Sequence, residues 1–424
     1  MEAGYAAMIQ TTASPSGENQ PRQLQNEHLA GLIGHPGADP VQLINAILHE
    51  LAYLLASDIL FEPAQDSVRV RTRIDGVLYE VGRMSHDMYA SVASRIKVIC
   101  DLDITRRSQV QEGQFTVEHE NGIINLRVEI VETVHGELIV FRLHEKRTIV
   151  MKLSELGFSK ESYDLFWKML AQRSGLIIVC GPTGSGKTTT LYSTLTALKN
   201  SDDFNVMTVE DPVEFHLDGT NQIQTSKDRD FTFAKGLRTI LRLSPDIVLV
   251  GEIRDKETAE IAVESGLTGL LVLSTVHAED SVGTLFRMLD LGVETYLLNS
   301  SLVGIVSQRL TRRNCPACVQ PYSPTQEEID IFTNIAGRPP NKLFKSRGCP
   351  TCQNLAYKGR IGIYEVLRID AKVRGLIRSK ASEEEFRETL KQMGFTTLLR
   401  DGLQKCEQGI TTIDEVLRNS LRIE

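Results

Sequence analysis

The sequence predicts an α/β protein whose parallel sheet is covered by helices on both faces, together with a smaller α+β domain. Short, largely apolar segments recur in the second part of the chain, at residues 176–180, 205–209, 247–250 and 270–275. Such segments are typical of strands in a parallel sheet that is buried on both faces. Helical periodicity separates them, whereas the earlier part of the chain alternates apolar and polar residues as half-buried strands do.

Length and composition are those of an ordinary globular protein with more than one domain. The chain has 424 residues, of which 41% are hydrophobic and 24% charged, and its formal net charge is −8. This length corresponds to about two or three domains. An acidic chain gains no long-range attraction to DNA or RNA, so we expect no direct nucleic-acid partner, with a local basic patch as the alternative.

The sequence contains no segment that we interpret as a membrane span or a signal peptide. The longest apolar candidate, residues 43–61, is interrupted by His49, Glu50 and Asp58 and lacks the roughly 18 apolar residues that a span requires. The N-terminus has no basic start followed by an apolar core. We therefore expect a cytoplasmic protein in which the seven cysteines do not form disulfides.

The first part of the chain divides into a tail and a folded domain. Residues 1–37 are rich in Ser, Gln, Asn, Gly and Pro, which predicts a disordered tail. For residues 38–145 we expect an α+β domain, PAS-like in type, with helices at 41–55 and 89–100. Val68–Ile74 alternates apolar or small residues with arginine, and Asp75-Gly76 predicts a hairpin turn into a return strand. Further strands are predicted at 115–120, 123–132 and 137–143, with Asn121-Gly122 as a second turn.

The second part of the chain begins after a predicted linker at residues 146–158. The main α/β domain is predicted to occupy residues 159–424. Within it, a cysteine-bearing module is expected at about 312–355 and a polar, helical C-terminus at 370–424.

The most informative motif is a glycine-rich loop between a predicted strand and a predicted helix. Residues 181–188, here called the phosphate loop, read Gly-Pro-Thr-Gly-Ser-Gly-Lys-Thr and fit G-x-x-x-x-G-K-[ST]. In this motif backbone N–H groups face phosphate oxygens, the lysine reaches the β- and γ-phosphates, and the threonine hydroxyl holds Mg²⁺. The flanking strand and helix favour a nucleoside triphosphate site over a chance turn. The expected binding residues are Gly181, Pro182, Thr183, Gly184, Ser185, Gly186, Lys187, Thr188 and Thr189, with Thr188 on the magnesium ion.

Acidic residues follow two of the other predicted strands. Glu252 ends the strand at 247–250 and is a candidate to orient or deprotonate the attacking water, with a helix-capping role as the alternative. Glu210, Asp211 and Glu214 follow the strand at 205–209, where open α/β sheets bind ligands, unless they form a solvated acidic loop. His277 follows the strand at 270–275 and is either a sensor of the γ-phosphate or a structural residue.

Four cysteines have the spacing of a metal site. Cys315 and Cys318 form one Cys-x-x-Cys pair and Cys349 and Cys352 form a second, separated by 30 residues. Four thiolates suit tetrahedral Zn²⁺, and the long spacer predicts a separately folded excursion. A redox dithiol and incidental cysteines are the alternatives.

Phosphoryl transfer is also expected to need an arginine, because negative charge grows on the γ-phosphate in the transition state. A neighbouring subunit can supply the positive charge. The candidates are Arg71 and Arg73 on the N-terminal hairpin and Arg238 and Arg242 before the strand at 247–250. Each of them is alternatively a surface charge.

Taken together, these motifs resemble the secretion ATPases of type II secretion and type IV pilus assembly. The resemblance rests on the order of the phosphate loop, Val209–Glu214, Leu249-Val-Gly-Glu-Ile-Arg-Asp255 and Ser274-Thr-Val-His277. Ala56-Ser-Asp58, Arg73-Ile-Asp-Gly76, Ser307-Gln-Arg-Leu310 before the cysteines, and Gly362-Ile-Tyr-Glu-Val-Leu367 fit it as well. The likeness runs from about residue 40 to the C-terminus.

The resemblance implies a RecA-like P-loop ATPase domain and a homo-hexameric ring. ATP would lie between this domain and the N-terminal domain. Glu210, Asp211 and Glu214 would form the Asp box, Glu252 would be the catalytic glutamate, and His277 would belong to the His box. The ring would drive polymerisation of pilin-like subunits through an inner-membrane platform protein, peripheral at the cytoplasmic face of the membrane. The tetracysteine module favours an assembly motor over a retraction motor.

The sequence also departs from the family pattern. Leu60 and Leu270 stand where histidine is usual, Gln114 replaces an arginine, and Ala278 follows His277 in place of threonine. The core ATPase elements are intact, so we still expect hydrolysis. A nucleic-acid motor on the same core and a weakly hydrolysing, ATP-gated scaffold are the competing hypotheses.

Overall fold

The computed structural model describes residues 22–35, 37–54, 56–106, 109–119, 122–145, 150–199, 203–226 and 228–420. The first domain is a six-stranded antiparallel sheet in the order β3-β2-β1-β6-β5-β4. Its strands are β1 (Asp58–Pro63), β2 (Val68–Ile74), β3 (Val77–Met84), β4 (Gln111–His119), β5 (Gly122–Thr133) and β6 (Gly136–Glu145). Its helices are α1 (Glu27–Gly34), α2 (Pro40–Tyr53) and α3 (His86–Ile99).

The local sequence explains these elements. Asp39 caps α2 by accepting a hydrogen bond from the backbone N–H of Val41, and Pro40 occupies the first turn, where no N–H is needed. The residues of β2 alternate between buried and half-buried positions, as the alternating sequence predicts. Asp75 and Gly76 both have positive φ, which fits the predicted two-residue hairpin turn into β3. For the second predicted turn, Asn121 lies outside the described residues.

The predicted tail ends too late in the sequence. Helix α1 lies within residues 1–37, and Leu24, Leu29 and Ile33 are buried in the core of the first domain. Asn26 caps this helix by accepting a hydrogen bond from the backbone N–H of Leu29. The apolar residues at 24, 29 and 33 supply a short buried face that the polar composition of the whole segment concealed. Residues 1–21 of the predicted tail lie outside the described residues.

The second domain contains a seven-stranded sheet in the order β15-β12-β7-β11-β10-β8-β9. The predicted apolar segments form β7 (Gly175–Cys180), β8 (Val206–Glu210), β10 (Ile247–Val250) and β11 (Leu271–Val276), all parallel. Strand β9 (Asn221–Gln224) is parallel to β8. Helices pack on both faces of this sheet: α4 (Lys160–Leu170), α5 (Lys187–Leu198), α6 (Phe233–Ile240), α7 (Lys256–Leu267), α8 (Ser281–Asp290) and α9 (Thr295–Ser301).

Two long strands extend this sheet beyond the predicted ones. Strand β12 (Leu302–Asn314) runs parallel to β7, and β15 (Tyr357–Arg368) returns antiparallel to β12. The cysteine module lies between them as an insertion, with β13 (Val319–Tyr322), α10 (Gln326–Ala336) and β14 (Leu343–Ser346). This arrangement fits the separately folded excursion that the long spacer between the cysteine pairs predicts.

Four helices follow β15: α11 (Ala371–Ser379), α12 (Glu383–Gln392), α13 (Leu398–Glu407) and α14 (Ile413–Ser420). They match the predicted helical C-terminus. Helices α13 and α14 share a small core with the cysteine module, which includes Phe332, Leu343, Leu403 and Val416. No helix among the described residues has the length and apolar character that crossing a membrane requires.

The two domains contact each other through the β2–β3 hairpin. The Asp75 carboxylate accepts a hydrogen bond from the backbone N–H of Gly359 at 2.8 Å and lies 3.8 Å from the guanidinium of Arg360. Arg312 of β12 donates to the hydroxyl of Tyr79 in β3 at 2.7 Å. These contacts place the tip of the hairpin beside the β12–β15 pair and near the phosphate loop.

Candidate functional site

The phosphate loop makes a tight connection between β7 and α5. Gly181, Gly184 and Gly186 have φ values of 151°, 78° and 88°, a region that favours glycine. Gly186 is the N-cap residue of α5, and Thr188 and Thr189 are exposed in its first turn. The N-terminus of a helix attracts anions through its free N–H groups and its dipole. The geometry therefore suits phosphate binding at this point.

Lys187 lies against the loop that it follows. Its ammonium donates hydrogen bonds to the backbone oxygens of Gly181 at 2.8 Å and Pro182 at 3.1 Å. Burial lowers the pKa of Lys187, and the nearby negative charge of Glu252 opposes this shift. The phosphate loop and the predicted catalytic carboxylate are thus close enough to influence each other electrostatically.

Glu252 and His277 come together at the ends of neighbouring parallel strands. Oε1 of Glu252 lies 3.1 Å from Nε2 of His277, and Oε2 of Glu252 accepts a hydrogen bond from Nε of Arg254 at 2.6 Å. The carboxylate side chain is only 12% exposed, whereas His277 is 48% exposed. A carboxylate that is held at both oxygens has a fixed orientation, which suits it to accept a proton from a water molecule.

Glu210 is held differently. It is 4% exposed, and its two oxygens accept hydrogen bonds from the hydroxyls of Tyr192 and Thr208 and from the amide of Gln222. Asp211 is exposed beyond the end of β8. The structure therefore places Glu210 in a buried polar cluster at the edge of the parallel sheet, with its carboxylate bonded to side chains of α5, β8 and β9.

The four candidate arginines lie on two separate surfaces. Arg71 forms a two-point ion pair with Glu62, and the hydrogen bond that it donates to Glu62 raises the pKa of Arg71. Nε of Arg73 lies 3.2 Å from Oδ2 of Asp58. Both carboxylates belong to the same sheet as the arginines.

On the second surface, Arg238 of α6 pairs with Glu257 of α7. Arg242 is exposed just after α6. The structure of the single chain therefore pairs three of the four candidate arginines with carboxylates of their own domain.

A cleft of about 110 Å³ lies between the phosphate loop and the N-terminal hairpin. Gly184 lines it on one side and Asp75, Gly76 and Val77 line it on the other, together with residues of β12, β15 and α14. Nη1 of Arg73 donates to the backbone oxygen of Gly76 at 3.3 Å, so this arginine lies close to the hairpin tip. The cleft brings the N-terminal domain next to the nucleotide-binding motif.

The four paired cysteines form one cluster. The sulfur atoms lie 3.8 Å apart for Cys315–Cys349 and Cys349–Cys352 and 4.0 Å apart for Cys318–Cys352. A tetrahedral zinc site with Zn–S bonds of about 2.3 Å has S–S edges of about 3.8 Å, so these residues fit zinc. A hydrogen bond from the backbone N–H of Cys352 is the main cause that lowers the pKa of Cys349 to about 6, whereas burial raises that of Cys315 to about 12.

Sequence reasoning assigned no role to three residues that the structure brings to these sites. Gln308 contacts the phosphate loop, Arg254 contacts Glu252, and Arg312 joins the two domains. Gln308 belongs to Ser307-Gln-Arg-Leu310, which follows the mostly apolar residues 302–306, and a buried polar residue at the end of such a run is the signal that could have identified it. Arg254 and Arg312 had no comparable signal, because their partners are distant in sequence or belong to a turn.

Comparison with known proteins identifies the relatives of this chain. Residues 37–418 match the family model described as type II/IV secretion system protein. The chain is 43% identical over 378 residues to type II secretion system protein E of Pseudomonas aeruginosa, covering 89% of this chain and 75% of that protein. It is 42% identical over 395 residues to type II secretion system ATPase E of Vibrio cholerae, covering 93% and 77% of the two chains.

Two further comparisons extend this result. The type IV pilus assembly ATPase PilB of Myxococcus xanthus is 41% identical over 389 residues, covering 90% of this chain and 68% of that protein. The structure of the Legionella pneumophila ATPase DotB superposes with a TM-score of 0.65 at 21% identity, covering 91% of this chain and 97% of that chain. At this identity the superposition supports the fold alone, and it agrees with the family match.

Proposed function

The chain belongs to the type II/IV secretion system protein family, and on this basis we propose that it is a motor that hydrolyses ATP to drive pilus assembly or type II secretion. Relatives that it matches over most of its length are named as ATPases of these systems. The observation that carries the proposal is the juxtaposition of Glu252, His277 and Lys187 at the ends of three adjacent parallel strands.

We assign the steps of hydrolysis to these residues as follows. The backbone of residues 181–189 and the ammonium of Lys187 would bind the phosphates, and Thr188 would hold the Mg²⁺, which would supply positive charge beside them. Glu252 accepts the proton of the attacking water, and His277 orients this carboxylate and contacts the γ-phosphate. Glu210 supports the sheet edge from its buried cluster, so we assign it a positioning role.

We further propose that ATP occupies the cleft between the RecA-like domain, residues 159–424, and the PAS-like N-terminal domain, residues 38–145. The position of Gly184 opposite the hairpin tip supports this arrangement. Arg71 or Arg73 then meets the growing charge on the γ-phosphate, with Arg238 and Arg242 as candidates on a neighbouring subunit. An arginine from a neighbouring subunit can act only in an assembly, and on the basis of the family we propose that this assembly is a homo-hexameric ring.

The remaining assignments follow from the family. We propose that Cys315, Cys318, Cys349 and Cys352 bind one Zn²⁺, which joins the two ends of the inserted module. The motor would bind an inner-membrane platform protein and would associate with the cytoplasmic face of the membrane through that partner. The high sequence identity to secretion and pilus-assembly relatives supports the proposed partner and the proposed membrane association. The identities to the two kinds of relative are similar, so either apparatus fits the sequence equally well.

The test is a hydrolysis assay on the purified full-length chain. We expect Mg²⁺-dependent phosphate release from ATP, with a mass in light scattering that shifts to that of six subunits when nucleotide is added. Absence of turnover at every protein concentration would contradict the motor and favour an ATP-gated scaffold. Stimulation by single-stranded DNA would favour a nucleic-acid motor instead.

A further inference from the structure

Strand β12 passes directly under the phosphate loop, and Gln308 is the residue at the point of contact. Its side chain is buried, with 1% exposure. The amide nitrogen donates a hydrogen bond to the backbone oxygen of Ser185 at 2.6 Å. The amide oxygen accepts a hydrogen bond from the hydroxyl of Thr190 in α5 at 2.7 Å. One side chain therefore connects the middle of the loop with the first turns of the helix that follows it.

The loop approaches Gln308 so closely that two of its glycines are required there. A Cβ at Gly181 would lie 2.6 Å from the backbone oxygen of Gln308, and a Cβ at Gly186 would lie 3.1 Å from its Nε2. A side chain at either glycine would therefore push the loop away from β12. The first distance involves the backbone of β12, and the second involves the side chain at position 308.

The bond to Ser185 also fixes the direction of a phosphate-binding group. The carbonyl of Ser185 and the N–H of Gly186 belong to one planar, trans peptide unit, so they point in opposite directions. Because Gln308 holds the carbonyl toward β12, the N–H of Gly186 must point away from β12. This side is the one at which α5 begins and phosphate is expected.

The neighbours of Gln308 hold the loop that carries His277. Side chains alternate along a strand, so Ser307 and Arg309 lie on the face opposite to Gln308. Both donate hydrogen bonds to the backbone oxygen of Glu279, at 3.3 Å and 2.6 Å. Three consecutive residues of β12 therefore fix the phosphate loop on one face and the segment after His277 on the other.

We propose that Gln308 is a positioning residue that sets the orientation of the phosphate loop for nucleotide binding. This inference rests on the proposed function, because it takes residues 181–188 as the site of the ATP phosphates. Gln308 itself touches no nucleotide. It acts by keeping the Ser185–Gly186 peptide in the orientation in which its N–H binds phosphate.

The decisive variant is Gln308→Glu, studied in the full-length chain with ADP as the probe. One oxygen of the new carboxylate still accepts the hydrogen bond from the hydroxyl of Thr190. The other oxygen replaces the amide N–H that donates to the backbone oxygen of Ser185, so two acceptors then face each other. An unsatisfied buried acceptor of this kind corresponds to a loss of about tenfold in affinity. We expect ADP to bind about tenfold more weakly at pH 8, with a matching rise in KM for ATP and little change in kcat.

A change of pH separates positioning from general damage to the fold. A buried carboxyl has a raised pKa, so it becomes protonated as the pH is lowered and can then donate to Ser185. The ADP affinity of Gln308→Glu should therefore approach that of the parent at pH 6. Gln308→Met, which cannot form either hydrogen bond, should be weakened equally at both pH values.

Controls make the outcome unambiguous. Gln404 is exposed on α13, and Gln404→Glu makes the same change of charge there without effect on ADP binding. Failure of the parent protein to bind ADP would contradict the proposed function. ADP binding within twofold of the parent in a folded Gln308 variant would overturn only the present inference. If neither variant folds, the test is ADP binding by Thr190→Val, which lacks the hydroxyl that orients Gln308. Unchanged ADP affinity in Thr190→Val would also overturn the proposed role of Gln308.

Discussion

Nε2 of His277 lies 3.1 Å from Oε1 of Glu252, across the ends of two adjacent parallel strands. The other oxygen of the carboxylate is bonded to Arg254. Since each partner occupies one oxygen, the carboxylate cannot rotate freely. Glu252 follows β10, which is separated from β7 and the phosphate loop by β11 alone, and its charge acts on Lys187. This position makes Glu252 the best-placed base in the site.

Replacing Glu252 by glutamine should separate binding from chemistry. Glu252→Gln keeps the size of the side chain and removes its ability to accept a proton. We expect turnover to fall by about 10²-fold or more, while ATP still binds. Phosphate release and ATP binding are the two measurements. Glu260→Gln, on the exposed face of α7, is the matched control and should hydrolyse ATP normally. A Glu252→Gln protein that turns over at the parent rate would show that another residue is the base.

Replacing Lys187 should affect binding itself. Lys187→Ala removes the positive charge that reaches the β- and γ-phosphates, and charge-assisted hydrogen bonds to it are lost with it. We expect ATP and ADP to bind at least about tenfold more weakly, as measured by titration calorimetry. Lys168→Ala, exposed on α4, should bind both nucleotides as the parent does. Equal affinity in Lys187→Ala would mean that the phosphates lie elsewhere.

The sequence predicted the parallel strands and the phosphate loop because each depends on local information. A wholly buried strand such as β7 must be apolar, and the conformation of the loop requires glycine at Gly181, Gly184 and Gly186. The roles of single arginines could not be predicted in this way. The pairing of Arg73 with Asp58 and the contact of Arg312 with Tyr79 depend on how distant strands are brought together.

Strands β12 and β15 show a different limit of the sequence. Both strands contain charged and polar residues, since their far ends leave the parallel sheet and enter the cysteine module. The apolar pattern that identified β7, β10 and β11 is therefore weaker in them. Helix α1 was missed for a related reason, because two turns of helix contribute few apolar residues to a polar segment.

The tetracysteine cluster should hold one zinc ion per chain. The distances between sulfur atoms already fit a tetrahedral site, so metal binding needs little rearrangement. Elemental analysis of protein prepared without chelator is the measurement. Cys349→Ser should lose the metal and loosen the module, whereas Cys100→Ala, in the N-terminal domain, should retain it. Metal-free parent protein would leave the four cysteines without the predicted role.

The buried pair of Arg312 and Glu415 should be important for stability. Arg312 donates to Oε1 of Glu415 at 2.6 Å and lies 4.0 Å from the ring centroid of Tyr357, and both charged side chains are less than 10% exposed. Arg312→Met leaves the buried Glu415 with only Arg418, whose guanidinium lies 3.7 Å away, and breaking a buried pair in this way costs up to about 3–5 kcal/mol. Urea unfolding followed by the fluorescence of Trp167, the single tryptophan, measures this change. The exposed arginine of the Arg338–Glu407 pair provides the control, and Arg338→Met should have little effect.

The same pair predicts a dependence of stability on pH. Burial alone would raise the pKa of Glu415, but the hydrogen bonds and charge of Arg312 outweigh burial and lower it. A carboxyl with a lowered pKa in the folded state stabilises the fold fully above its ordinary pKa of 4.5, and this stabilisation is lost as the pH falls through the lowered value. The difference in unfolding free energy between parent and Arg312→Met should therefore shrink in acid. A constant difference from pH 7 to pH 3 would contradict this account.

Arg73 provides the test of how the two domains cooperate. It lies on the hairpin whose tip lines the cleft with Gly184, it is 38% exposed, and its pairing with Asp58 fixes its direction. Arg73→Ala removes a positive charge beside the γ-phosphate in the proposed arrangement, and the cost is about 10³-fold in turnover if this arginine is dominant. The loss would be smaller if Arg71 shares the role. Arg106→Ala, which removes an exposed arginine paired with the exposed Asp103 in the same domain, should leave turnover unchanged.

The concentration dependence of turnover distinguishes an arginine that acts within its own chain from one that acts across the ring. Turnover is measured over a range of protein concentrations, together with the mass from light scattering. If the ring is needed, activity per chain rises with concentration as the hexamer forms, and Arg73→Ala lowers the plateau while the mass is unchanged. Mixing Arg73→Ala with Glu252→Gln then restores activity only if the two residues can be supplied by different subunits. A monomer that hydrolyses ATP at full rate at every concentration would refute the ring, because each chain would then complete its site alone.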